Sequence, residues 1–247
     1  MCNLPFIWLI FIGIIVGTFV IALGGGGAAI YLGILSSAFH LAPATAAATS
    51  LVTALPSVII GTVGYIRQGK VNFHIGNQML LTAIPAVIVG AFIAPFISTP
   101  VYRWVIAIIL MVLGIQIFFK RQYSQANQAN HFAAAMYGIV SGLMVGIAGL
   151  SGGGPVLAGL LLLGLDTFHA TATSTYVLVG MSLVGAALHL SNGQIDWAAG
   201  LPLIVGTIIG ALLAPLVVKF LSRKGHGRYL NRIVALLLIF MGIKSLF

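Results

Sequence analysis

The sequence predicts an all-α fold: a polytopic transmembrane helix bundle of two inverted-topology repeats, each with a glycine-broken first hairpin or re-entrant segment plus three spans. Three observations predict it. Of the 247 residues, 60% are hydrophobic and 5% charged, whereas a soluble domain carries roughly 25% charged residues. The chain repeats itself once along its length. Its basic residues fall into alternate loops, as they do where the bilayer sets topology.

Apolar runs fill almost the whole length, with polar gaps only near residues 67–72, 98–103, 120–131, 190–196 and 219–231. No extramembrane domain fits between them. Eleven Lys and Arg against two acidic residues give +9, a balance that in a soluble protein suggests nucleic acid. Here the cations sit in short loops between apolar segments, so no nucleic-acid partner is expected. The one cysteine, Cys2, excludes an internal disulfide and a cysteine-ligated metal site, and nothing in the sequence asks for a metal or other cofactor. Residues 4–23 have the hydrophobicity of a signal peptide, but they lack a basic leader and run straight into a glycine motif that recurs later, which assigns them to the mature protein.

The repeat is read from matched landmarks. Leu23-Gly24-Gly25-Gly26-Gly27 answers to Leu150-Ser151-Gly152-Gly153-Gly154, and Ala48-Thr49-Ser50 to Ala172-Thr173-Ser174. Gly69 then matches Gly193, Gly90-Ala91 matches Gly210-Ala211, and Gly114-Ile115 matches Gly242-Ile243. These landmarks divide the chain into an N-terminal transmembrane repeat (1–119), a polar linker (120–131) and a C-terminal transmembrane repeat (132–247).

In each half the first apolar segment, 6–39 or 132–165, is interrupted by its glycine run. As one straight helix of about 34 residues it would be roughly 50 Å long, against a hydrocarbon core of about 30 Å. It therefore breaks or folds back. Three spans follow in each half, near 42–66, 73–97 and 102–119, and near 169–190, 197–219 and 230–247.

Charge decides how the halves are oriented. If each broken segment crossed once, the loops would split the cations about evenly, against the positive-inside rule. If it crosses an even number of times, Arg67, Lys70, Lys120, Arg121, Lys219, Arg223, Lys224, Arg228 and Arg232 share one side, and only Arg103 and Lys244 fall on the other. Matched loops agree, since Arg67-Gln68-Gly69-Lys70 is basic and Leu190-Ser191-Asn192-Gly193 is not. The expectation is inverted halves, basic loops in the cytoplasm and both termini outside.

The glycine runs are the candidate site. Glycine-rich backbone in an apolar setting exposes N–H and C=O groups that lipid cannot satisfy. A helix starting just after such a run aims free N–H groups and the positive end of its dipole into the break, which suits an anion. The candidate substrate-binding residues are Gly24, Gly25, Gly26 and Gly27, and Ser151, Gly152, Gly153, Gly154 and Pro155. The hydroxyls of Thr49, Ser50, Thr173 and Ser174 join them as donors to oxyanion oxygens. The competing reading is close helix packing by small residues, with hydroxyls bonded to backbone. Asp166 and Asp196, the only acids, fall at segment ends, so no intramembrane carboxylate is there to bind a cation.

Gly149-Leu150-Ser151-Gly152 has the GxSG form of rhomboid-type intramembrane serine proteases. The repeat answers Ser151 with Gly24, which fits a backbone role better than a nucleophile, so no enzyme is expected. A channel for anions or small solutes, and a membrane assembly factor that moves nothing, stay open at this point.

The duplicated glycine break, the Ala-Thr-Ser that follows and the later Gly-Ala-x-x-Ala-Pro together resemble the TauE/SafE family of sulfite and organosulfonate exporters. Gly152-Gly153-Gly154-Pro155 with Ala172-Thr173-Ser174 looks like that family's signature, and the first half carries Ala28 where the second has Pro155. The resemblance implies a transporter of small sulfur-containing or organic anions in the cytoplasmic membrane. Its partners would be that anion and the lipid bilayer; homo-oligomer formation is left open.

Overall fold

The computed structural model describes residues 3–22, 41, 43–93, 131–148, 152–190 and 195–223, with isolated positions at 31, 34, 35, 39, 96, 104, 108, 111, 115, 118, 236, 239, 240 and 243. Gly24 to Gly27, Ser151, the linker apart from His131, and nearly all of the spans predicted at 102–119 and 230–247 lie outside them.

The described residues form seven helices and no strand. They are α1 (Asn3–Ala22), α2 (Pro43–Arg67), α3 (Phe73–Ile93), α4 (His131–Ala148), α5 (Gly153–Leu162), α6 (Thr167–Leu190) and α7 (Trp197–Arg223). Four of them, α2, α3, α6 and α7, contain stretches of 18 to 22 residues long and apolar enough to cross a membrane.

Local chemistry sets their ends. α2 begins on Pro43, where the missing N–H costs nothing. It ends on Gly69 at φ +64°, a left-handed turn in which Lys70 N–H reaches the Tyr65 carbonyl at 3.1 Å. α3, α6 and α7 open on acid or amide caps. Asn72 Oδ1 accepts from Ile75 N–H and Asp196 Oδ1 from Ala199 N–H, each at 3.1 Å, and Asp166 Oδ2 accepts from Phe168 N–H at 3.0 Å. Both acids of the chain are thus helix caps at segment ends, where the sequence places them.

Helix directions follow from which residues meet. In α1 and α7, Gly13 lies against Leu203 and Gly206, and Gly17 against Thr207, so the two run parallel. α3 and α4 also run parallel, since Gly138 meets Met79, Gly142 meets Ala83 and Gly146 meets Val87. α2 and α6 run antiparallel through the middle, with Leu51 beside Gly185 at one end and the Tyr65 and Phe168 rings edge to face at 5.9 Å at the other. α7 runs with α2, and α3 runs with α6. The result is that α1, α2 and α7 point one way, and α3, α4 and α6 the other.

The close pairs rest on glycine. A Cβ on Gly146 would collide with the Val87 carbonyl oxygen, and one on Gly13 would come within 2.8 Å of the Leu203 carbonyl oxygen. Thr18 Oγ1 donates across the first seam to the Gly210 carbonyl, and Thr82 Oγ1 across the second to the Ala135 carbonyl, at 3.1 and 3.2 Å. Gly146→Ala is expected to destabilise the protein by about 1–3 kcal/mol, because backbone has to move apart. Denaturant titration in detergent measures it, and an unchanged midpoint would contradict the packing.

Among the described residues the core has three apolar clusters, one centred on α3, α4, α5 and α6 (Met79, Val145, Leu160, Met181) and two on α2 and α7 with α1 and α6. The rest of the apolar surface faces outward, including Trp8, Phe11, Leu81, Phe92, Leu212 and Leu216. Such a coat is stable only against lipid.

Candidate functional site: a helix end at mid-bundle

After Ala148 the chain reverses. Gly152 lies beside Ser141 and Val145, near the middle of α4, and Gly159 lies beside Tyr137, nearer its start. α5 therefore runs back along α4. At 10 residues it is about 15 Å long, half the hydrocarbon thickness. This half-length return is the re-entrant form of the two alternatives left open for the second glycine-broken segment.

The N-terminus of α5 consequently opens deep inside the protein. Gly152, Gly153 and Pro155 are buried. Gly152 caps the helix without a side-chain hydrogen bond, and Val156 N–H closes the first turn onto its carbonyl at 3.2 Å. Pro155 occupies a first-turn position where a helix donor has no intrahelical partner in any case. Ser141 Oγ, fully buried on α4, donates to the same Gly152 carbonyl at 2.7 Å and so ties the break to α4. There is no room for a larger residue: a Cβ on Gly152 would stand 2.7 Å from the Ser141 carbonyl oxygen and 2.8 Å from Met181 Cε.

The hydroxyl residues occupy different places. Thr49, Ser50, Thr173 and Ser174 are all fully buried. Thr49 Oγ1 accepts the N–H of Asp196 at 3.1 Å, and Thr173 Oγ1 accepts the N–H of Asn72 at 2.9 Å. The methyl of Thr49 faces Gly200 and that of Thr173 faces Gly76. Each threonine thus holds the start of the following helix of the other half.

Leu51 lies abreast of Gly185, so Thr49 and Thr173 are about 20 Å apart along the α2–α6 pair at 1.5 Å per residue. Gly152 lies beside Met181, about 12 Å from Thr173 on the same measure. The structure therefore brings the second glycine run to mid-bundle and separates Thr49 from Thr173. Gly24 to Gly27 and Ser151 are outside the described residues.

Asn72, Asp196 and Ser141 are the partners that motif reading missed. A signal for the first two was present: Thr49 and Thr173 are 124 residues apart, and so are Asn72 and Asp196. Among the described residues no group of three or more His, Cys, Asp or Glu side chains gathers as a metal site.

A lipid-coated helical bundle with a helix end buried at its centre defines a polytopic integral membrane protein of the transporter class. Comparison with known proteins makes the class specific. A family model described as Sulfite exporter TauE/SafE matches residues 9–245, and the chain belongs to that family. It is 26% identical to the probable membrane transporter protein YdhB of Bacillus subtilis, over 81% of this chain and 83% of that protein. It is 24% identical to the probable membrane transporter protein YfcA of Escherichia coli K12, over 87% and 81%. It is also 29% identical to the probable membrane transporter protein y4hK of Sinorhizobium fredii, over 95% and 98%. The protein is a membrane transporter of a small solute.

Proposed function

We propose that this transporter is a secondary carrier that exports small sulfur-containing or organic anions, such as sulfite or sulfonates, and that it is not an enzyme. The observation that carries the reading is the N-terminus of α5, buried at mid-bundle with its backbone donors and positive dipole end turned into the glycine break. Such an end replaces the hydration of an anion without a buried cation. The family description adds the sulfur oxyanion.

The mechanism we infer is alternating access between two inverted halves, residues 1–119 and 132–247. Its support is geometric: α1, α2 and α3 each point opposite to their counterparts α4, α6 and α7. The two glycine breaks would then face one another across the centre, with Gly24 to Gly27 on one side and Gly152 to Pro155 on the other. Rocking about that centre exposes the anion to each side in turn.

The same directions put the ends of α2 and α7 and the start of α4 at one end of the bundle. Those ends carry Arg67, Lys219 and Arg223, and in the sequence Lys70 follows α2 and Lys120 and Arg121 precede α4. We assign that end to the cytoplasm of a bacterial inner membrane. A reporter active only outside the cytoplasm, fused after Phe247, is expected to be active; a cytoplasmic C-terminus would overturn the orientation.

Purified protein in liposomes, offered sulfite, sulfate, thiosulfate, methanesulfonate and acetate at controlled pH and potential, tests the function. Saturable flux with exchange is expected for at least one anion. Flux without saturation would make it a channel, and no flux from folded protein would end the transport reading for these anions.

A further inference from the structure

Among the described residues three buried hydroxyls of the first half, those of Tyr31, Thr53 and Thr62, have no hydrogen-bond partner, and the first two are the most deeply buried. Tyr31 Oη and Thr53 Oγ1 belong to fully buried residues, and neither is hydrogen-bonded. A buried hydroxyl left alone forfeits its hydration, so native structures usually complete it with a ligand or water. Both lie in one region of the bundle: Tyr31 belongs to the apolar cluster that includes Leu51, Ala54, Ala199 and Leu203, and Thr53, on the same stretch of α2, faces Gly200, next to Ala199. The point that a Cβ on Gly200 would occupy has Thr49 Cγ2 as its nearest neighbour at 3.5 Å and Thr53 Oγ1 next at 3.8 Å. Gly200 therefore leaves room for one more heavy atom beside the Thr53 hydroxyl.

At the two matched positions of the second half the sequence has residues without a hydroxyl. Leu23 matches Leu150 at an offset of 127, which sets Ala158 opposite Tyr31. Ala48 matches Ala172 at an offset of 124, which sets Val177 opposite Thr53. Ala158 and Val177 are both fully buried in a single apolar cluster. The matched positions of the second half are thus packed by apolar side chains, whereas in the first half each carries a hydroxyl with no hydrogen-bond partner among the described residues.

We propose that Tyr31 and Thr53 form a neutral hydroxyl subsite for the transported anion, each donating one O–H to an oxygen. The inference rests on the transport reading above and extends it to the first half, where Tyr31 follows Gly27 by four residues. Two separate donors select an oxyanion with at least two acceptor oxygens. A halide, a single centre, gains less from them.

The test is flux of sulfite, methanesulfonate and chloride by full-length protein in liposomes, with unliganded thermal midpoints measured in parallel. Tyr31→Phe and Thr53→Val are each expected to raise KM for the transported oxyanion about tenfold, the loss of one hydrogen bond to a charged group. Gly200→Ala, which fills the gap without a clash, is expected to do the same. None of the three should lower the unliganded midpoint, since no protein bond is removed. Saturable wild-type flux with KM unchanged in both hydroxyl variants overturns the subsite. So does a fall of several degrees in either unliganded midpoint, which marks the hydroxyl as structural. A wild type that moves neither oxyanion removes the transport reading for these probes, and the subsite with it, a result plainly different from an unchanged KM.

Discussion

Gly154→Asp is expected to reduce anion flux about a hundredfold while Gly154→Asn retains most of it. Residue 154 lies in the first turn of α5, and unlike its buried neighbours Gly152 and Gly153 it is only partly buried. A carboxylate there is stabilised by the dipole of its own helix, and the fold should tolerate it. A substrate anion drawn to the same helix end would then sit about 5 Å from a like charge. At an effective dielectric near 20 that repulsion is about 3 kcal/mol, roughly a hundredfold in occupancy. Asn has nearly the same shape as Asp and no charge, so the difference between the variants isolates electrostatics from bulk. Initial rates of sulfite flux at matched incorporation measure it. Equal rates for the two variants would remove the substrate from the deep end of α5.

The helices themselves were legible because lipid enforces a simple code. Runs of about 20 apolar residues between polar gaps give the spans, and α2, α6 and α7 begin within two residues of their predicted starts. The glycine break was legible for a related reason, as backbone that lipid cannot satisfy has to turn inward. The roles of the hydroxyl residues were not. Thr49 and Thr173 stand downstream of the two glycine runs and look in sequence like parts of one site, yet each bonds a backbone N–H at least 101 residues away. A hydroxyl takes whichever donor or acceptor the tertiary fold brings to it, and local pattern does not encode that choice. Asn72 and Asp196 were the readable half of the pairs, since a residue that caps a helix is recognisable from sequence and its own N–H has to go somewhere.

Removing both threonine hydroxyls is expected to be the most destabilising change that leaves every side-chain volume intact. Thr49→Val and Thr173→Val each strand the N–H of a cap residue at a partly buried position, at a cost of about 1–3 kcal/mol apiece. The sites are about 20 Å apart on the α2–α6 pair and share no partner, so the two losses should add to within about 0.5 kcal/mol. The double variant then forfeits about 2–6 kcal/mol of a total stability of about 5–15 kcal/mol. Denaturant titrations of the four proteins in one detergent measure the cycle. A coupling much larger than this would mean that the two ends of the bundle respond as one unit. The location of the bonds also gives each single variant a direction. One joins α2 to α7 and the other α6 to α3, at opposite ends of the central pair, so in the alternating access proposed above rocking would loosen one end while the other holds. Thr49→Val loosens the end near Asp196 and Thr173→Val the end near Asn72. Labelling of single cysteines introduced into the loops at each end should therefore rise in opposite places for the two variants, and a rise at the same end in both would contradict rocking about the centre.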